Sequence, residues 1–112
     1  MIKEESMYKP LPESLTISQS GVHGLGLFAD QKIIQGTNLG MSHLKIGERI
    51  FRTPLGGFIN HSNTPNCVKA ELRMTDEEMK GHPYNYKKWN LITIQDIRKG
   101  EELTVRYTFY NV

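Results

Sequence analysis

Residues whose types and spacing could do chemistry fall in three short stretches of this chain. The first is His23-Gly24-Leu25-Gly26-Leu27-Phe28-Ala29, with two glycines flanking Leu25. The second is Phe58-Ile59-Asn60-His61-Ser62-Asn63-Thr64-Pro65-Asn66-Cys67. The third is Asp96-Ile97-Arg98-Lys99-Gly100-Glu101-Glu102-Leu103-Thr104-Val105-Arg106-Tyr107. Taken singly, each has an ordinary interpretation: a glycine turn, a turn asparagine beside a buried histidine, a tyrosine closing a core strand. A Cys67/His61 hydrolase would need a third group to orient the histidine, and none stands at a recognisable spacing. A metal site drawn from His23, His43, His61 and His82 lacks ligand spacing such as i, i+4 on a helix, so no metal is expected. Glu101 and Glu102 could form a carboxylate pair, but read more simply as exposed residues entering a strand after the Gly100 turn.

The elements that must hold these stretches are short. With 112 residues the chain has room for one domain and one modest core. Leu15-Thr16-Ile17-Ser18 alternates apolar and polar and reads as a strand; Ser20–Gly26 reads as a turn and Leu27–Ala29 as a second apolar piece. Cys67–Leu72 and Trp89–Ile94 read as two more strands. Thr75-Asp76-Glu77-Glu78 fits a capping box and predicts one helical turn. Arg49–Phe58 lacks helical period, and Lys80–Lys88 reads as an exposed loop. A weak internal echo relates Ile33-Ile34-Gln35-Gly36-Thr37-Asn38-Leu39 to Ile97-Arg98-Lys99-Gly100-Glu101-Glu102-Leu103. Both share the frame I-x-x-G-x-x-L, and both predict a turn whose glycine takes a positive φ before a strand. No segment keeps a 3.6-residue period over three turns, so the expectation is mostly β with little helix. Residues 1–13 read as a polar lead-in and 14–112 as the domain.

Composition excludes several classes. The formal charge of +2 is small and, apart from Lys87-Lys88, the basic residues are scattered, so direct nucleic-acid binding is not expected. Cys67 is the single cysteine, which rules out an internal disulfide and a multi-thiolate zinc site. No apolar run approaches the roughly 20 residues of a membrane helix, and Met1–Pro12 has no signal-peptide core, so an intracellular protein is expected.

Together the motifs are far more specific than any one of them. N-H-S-x-x-P-N at 60–66, then G-E-E-L-T-x-x-Y at 100–107, with G-x-G-L-F-A upstream at 24–29, resembles the SET domain, over roughly residues 14–110. The chain looks most like the short stand-alone SET proteins of bacteria, phages and large viruses. The resemblance implies a β-clip of small curved sheets. It also implies a C-terminal pseudoknot, which would bring Tyr107 beside Asn60-His61. It further implies a protein-lysine methyltransferase using S-adenosylmethionine. Gly24, Leu25, Gly26, Asn60, His61 and Tyr107 would then contact the cofactor, and Tyr107 would be catalytic. Val105 would border the lysine channel, with Phe109 and Tyr110 as further wall candidates. Val105 stands where an aromatic hydroxyl often limits the number of methyl groups added. The alternative from another class is a non-catalytic SET-like module that only binds protein.

The chain also departs from the family pattern. Arg106 stands where many members carry Asp, which leaves substrate choice open. The cysteine-rich segment that often follows the domain is not found in the five residues after Tyr107. The stretch Met41–Arg52, which usually shapes the peptide groove, is very short. A second copy could complete that groove, so a homodimer is a further expectation beside the protein substrate.

Overall fold

The alternation at Leu15–Ser18 becomes strand β1 (Leu15–Gln19), which pairs antiparallel with β2 (Leu25–Ala29) in register Leu15↔Ala29 to Gln19↔Leu25. A computed structural model describes residues 11–22, 24–72, 77, 80–81 and 86–107. The remaining elements are β3 (Asn38–Ile46), β4 (Arg49–Arg52), α1 (Pro54–Phe58), β5 (Asn60–His61), β6 (Cys67–Leu72), β7 (Tyr86–Thr93) and β8 (Glu102–Val105). They form two four-stranded sheets, one ordered β1-β2-β8-β5 and the other β4-β3-β7-β6. The strand-rich architecture of small sheets is the expected one.

The two echo turns meet. Ile33 and Ile97 form an isolated antiparallel bridge, each N–H donating to the other's carbonyl at 2.9 and 2.8 Å. Gly36 and Gly100 have φ of +86° and +91°, a region open to glycine and strained for other residues. Both isoleucines are buried and join Leu27, Leu91, Leu103 and Val105 in one core between the sheets.

Met41–Arg52 lies in a hairpin of β3 and β4 closed by the two residues Gly47-Glu48. The register of β3 shifts between Asn38 and Gly40 and again between Met41 and His43, which breaks the period of two that marks a strand. Two expectations need correction. β7 begins at Tyr86, so the last part of Lys80–Lys88 is strand and not loop. Within Arg49–Phe58, Thr53 caps a short helix that begins at Pro54 and buries Leu55. The capping box at Thr75–Glu78 lies largely outside the described residues.

Candidate active site

Strand β5 is only two residues long, yet it joins the second and third motifs. It pairs parallel with β8, Asn60 opposite Thr104 and His61 opposite Val105. Asn66 closes the same segment onto β8. Its Nδ2 donates to the Glu102 carbonyl at 2.9 Å, and its Oδ1 accepts the Thr104 N–H at 2.8 Å. The side chain thus occupies β8 hydrogen-bonding groups that a further strand would otherwise satisfy. Ser62 and Pro65 shape the turn between, with the Thr64 N–H donating to Ser62 Oγ at 3.0 Å. The N-H-S-x-x-P-N string therefore carries structure at its second half as well as site residues at its first.

Tyr107 follows β8 and lands beside His61. Its backbone N–H donates to His61 Nδ1 at 2.9 Å, and its hydroxyl donates to the Ile59 carbonyl at 2.8 Å. The two rings are tilted at 53° with centroids 5.2 Å apart. Because Nδ1 accepts, the ring proton sits on Nε2, which donates to Asn63 Oδ1 at 3.2 Å. Burial raises the Tyr107 hydroxyl pKa above its usual value, against a smaller opposing pull from Arg52. The hydroxyl is thus a neutral donor held in one direction, while the residue remains 37% exposed.

Asn60 sits at the opposite side of this junction and is buried. Its Nδ2 donates to the Leu25 carbonyl at 3.1 Å and to Glu102 Oε2 at 2.8 Å. Ser20 Oγ donates to the same carboxylate at 2.8 Å. Asn60 therefore fixes the Gly24-Leu25-Gly26 strand entry. An added Cβ at Gly26 would run into the Glu102 carboxylate and come within 3.0 Å of Asn60 Nδ2, so Glu102 would have to swing out of this network. Gly26 faces Glu102, whereas a Cβ on Gly24 would meet nothing within 4 Å. Leu25 leaves its side chain 52% exposed at that opening.

Glu102 is the residue the sequence hid. It reads as an exposed strand-entry glutamate, but it is half-buried and ties β8 both to Ser20, just before the first motif, and to Asn60 of the second. Its neighbour Glu101 is exposed and accepts the Arg98 N–H at 2.6 Å, an ordinary turn contact. The available signal was its place one residue into β8, on the face opposite the buried Leu103 and Val105.

Other candidates take structural places. Val105 is 1% exposed and packs in the core, while also bordering a pocket of about 290 Å³. Burial pushes the Cys67 thiol up to about 12, which removes it as a nucleophile at neutral pH. His43 is fully buried, its Nδ1 against Ser42 Oγ at 3.0 Å. Burial, then Lys69 and Arg52, bring its pKa down to about 4. Among the described residues no three His, Cys, Asp or Glu side chains gather as metal ligands. Nor is any described helix long and apolar enough to cross a membrane. His23, His82, Phe109 and Tyr110 lie outside the described residues.

An Asn-His pair on a two-residue strand, clasped in parallel by the strand that delivers Tyr107, defines the class: the chain belongs to the SET-domain family, whose model matches residues 41–108, more than half of the sequence. It is similar to the histone-lysine N-methyltransferase ASHH2 of Arabidopsis thaliana, 36% identical over 58 residues. That match covers 52% of this chain but spans only 3% of the relative's length. The fold is similar to the crystal structure of a proposed histone methyltransferase of Plasmodium falciparum, with a TM-score of 0.66 at 15% identity. The alignment covers 88% of this chain and 96% of that one.

Proposed function

We propose that this SET domain is a protein-lysine methyltransferase that uses S-adenosylmethionine, with residues 14–112 as the catalytic unit. The observation that carries the reading is the Tyr107 hydroxyl, held as a neutral donor within the junction of β5 and β8. The polar groups of Gly24, Leu25, Gly26, Asn60 and His61 suit the cofactor's amino-acid end, and the open space over Gly24 beside exposed Leu25 fits a ligand there. The cofactor, when bound, supplies an electrophilic methyl group on sulfur. Glu102 and Asn60 hold the loop that would cradle it, and Tyr107 orients the incoming amine.

An acceptor lysine must be neutral to attack. Its free pKa of about 10.4 makes deprotonation at pH 7 cost about 4.6 kcal/mol. A dry site lowers that cost by disfavouring the ammonium form. Fixed orientation of the amine contributes about 7–11 kcal/mol in favourable cases. Val105 has no hydroxyl with which to anchor a channel water, so products beyond monomethyl-lysine follow from this reading. A protein substrate is implied, and a second copy of the chain would complete a groove bounded by the short β3–β4 hairpin. Calorimetry with S-adenosylmethionine, followed by mass spectrometry of a lysate treated with the labelled cofactor, tests the proposal. Heat of binding and lysine-linked label are expected; a module that only binds protein would show no heat with the cofactor.

A further inference from the structure

The end of β8 and the residues after it grip the turn that follows β5 in three places. The parallel pairing ends with His61 opposite Val105, and the Ser62 N–H then donates to the Val105 carbonyl at 2.9 Å. One residue on, Arg106 reaches back, and its Nη2 donates to the Asn63 carbonyl at 3.0 Å. Tyr107 makes the third contact through its backbone N–H, which donates to His61 Nδ1 at 2.9 Å. The first two acceptors are carbonyl oxygens, which accept at any pH. The third is an imidazole nitrogen, which accepts only while the ring is neutral.

Asn63 decides which nitrogen carries the ring proton. Its Oδ1 faces His61 Nε2 at 3.2 Å, so the proton is held there and Nδ1 keeps its lone pair for Tyr107. Arg106 in turn fixes the Asn63 backbone through a charge-assisted bond. Two adjacent residues, Arg106 and Tyr107, thus hold both ends of the His61–Asn63 turn. The charged groups around this clasp come from several elements. Beside Arg106 stand Lys69 of β6, with Nζ 5.9 Å from the centre of the Tyr107 ring, and Arg52 of β4, whose charge is felt at the Tyr107 hydroxyl. Glu102 of β8 is turned toward Ser20 and Asn60. The Tyr107 hydroxyl itself donates to the Ile59 carbonyl.

We infer that His61 is a positioning residue for Tyr107, acting through a neutral Nδ1 that Asn63 keeps clear of the ring proton, so that acid releases the Tyr107 backbone. This rests on the reading of Tyr107 as the residue that orients the acceptor. A proton taken up from solvent puts an N–H on Nδ1 and aims it at the Tyr107 N–H, donor against donor across 2.9 Å. The ring must then turn away. Water can take the Tyr107 N–H in its place, but water does not fix the direction of the segment that carries the hydroxyl. The tyrosine is therefore set for chemistry only on the alkaline side of the imidazole titration. The acceptor lysine also needs its neutral form, so acid acts on both partners of the reaction by separate routes.

The test follows the Tyr107 backbone amide by heteronuclear NMR of the full chain between about pH 5 and 8, with the amide of buried Leu91 as the folded reference. In wild type the Tyr107 proton resonance should move upfield through one titration step as pH falls, while Leu91 stays in place. Asn63→Asp sets a carboxylate against Nε2 and favours the charged ring, so the midpoint should rise by at least about half a pH unit. His61→Asn puts an amide Oδ1 where Nδ1 stood, and the resonance should keep its alkaline position throughout. Should His61→Asn fail to fold, Asn63→Asp decides. Methyl transfer is measured in parallel, each protein scaled to its own rate at pH 8, so that the slope due to the acceptor lysine is common to all. Near pH 6 Asn63→Asp should retain at least about twofold less activity than wild type. A Tyr107 resonance that ignores pH, one that moves only together with Leu91, an unmoved midpoint in Asn63→Asp, or a titration that persists in His61→Asn would each overturn the inference. The expected resonances without methyl transfer by any of the proteins would sink the enzymatic reading alone. Transfer with a Tyr107 resonance that ignores pH would sink this one alone.

Discussion

At the scale of single residues, Tyr107 is the position where one atom separates two roles. Tyr107→Phe keeps the ring against His61 and removes the hydroxyl that donates to Ile59. An interaction needed mainly in the transition state lowers turnover and leaves ground-state binding alone. Turnover should fall by about 10²-fold or more, with the S-adenosylmethionine dissociation constant within about threefold of wild type. Parallel single-turnover and calorimetric measurements check both halves. Val105 offers a second residue-scale test. It is fully buried, so Val105→Tyr must find room at the pocket that Lys69 and Arg106 border. Peptide mass spectrometry under excess cofactor should show dimethyl- or trimethyl-lysine from wild type and a shift toward monomethyl from the variant. A wild type that stops at monomethyl-lysine would remove Val105 from the argument.

At the scale of elements, the junction of β2, β5 and β8 depends on one carboxylate filling the place of a missing Cβ. Gly26→Ala drives a methyl group into Glu102 Oε2 and toward Asn60 Nδ2. Overpacking of this kind costs about 1–3 kcal/mol. Glu102→Ala leaves Ser20 and Asn60 without their shared acceptor, also at about 1–3 kcal/mol. Because both changes act on the same contact, their effects should fall short of additive in the double variant. Urea titrations of the four proteins measure this directly, and a strictly additive result would mean that Gly26 and Glu102 are not coupled. Both single variants should also weaken cofactor binding, since Asn60 would lose the partner that holds it against the Leu25 carbonyl.

At the scale of the whole molecule, His43 ties folding to pH. It is buried and neutral in the folded chain, with a pKa of about 4 in place of 6.5. Between those values the unfolded chain takes up a proton that the folded one refuses. Stability from this residue is therefore complete above about pH 6.5 and is lost progressively as pH falls toward 4. Denaturant titrations at pH 7.5 and pH 5 should differ by about 2 kcal/mol, the wild type being weaker at pH 5. His43→Gln should flatten that dependence, whatever it does to stability at pH 7.5. A profile unchanged by the substitution would place the titrating group elsewhere.

The sequence by itself determined the class of fold, the echo turns at Gly36 and Gly100, and the three motifs. These depend on local chemistry: alternation, turn glycines and residue strings that survive in one dimension. It did not reveal the β3–β4 hairpin, because two register shifts blur the alternation that marks a strand. It did not reveal Glu102 as a positioning residue, because that role exists only when β8 lies between β2 and β5. Nor did it reveal that Asn66 holds the Glu102 carbonyl and the Thr104 N–H of β8. Those partners stand 36 and 38 residues further along the chain, and no local pattern encodes a contact of that span. Tertiary pairing decided it, because residues distant in the chain become neighbours only when strand pairing brings their segments together.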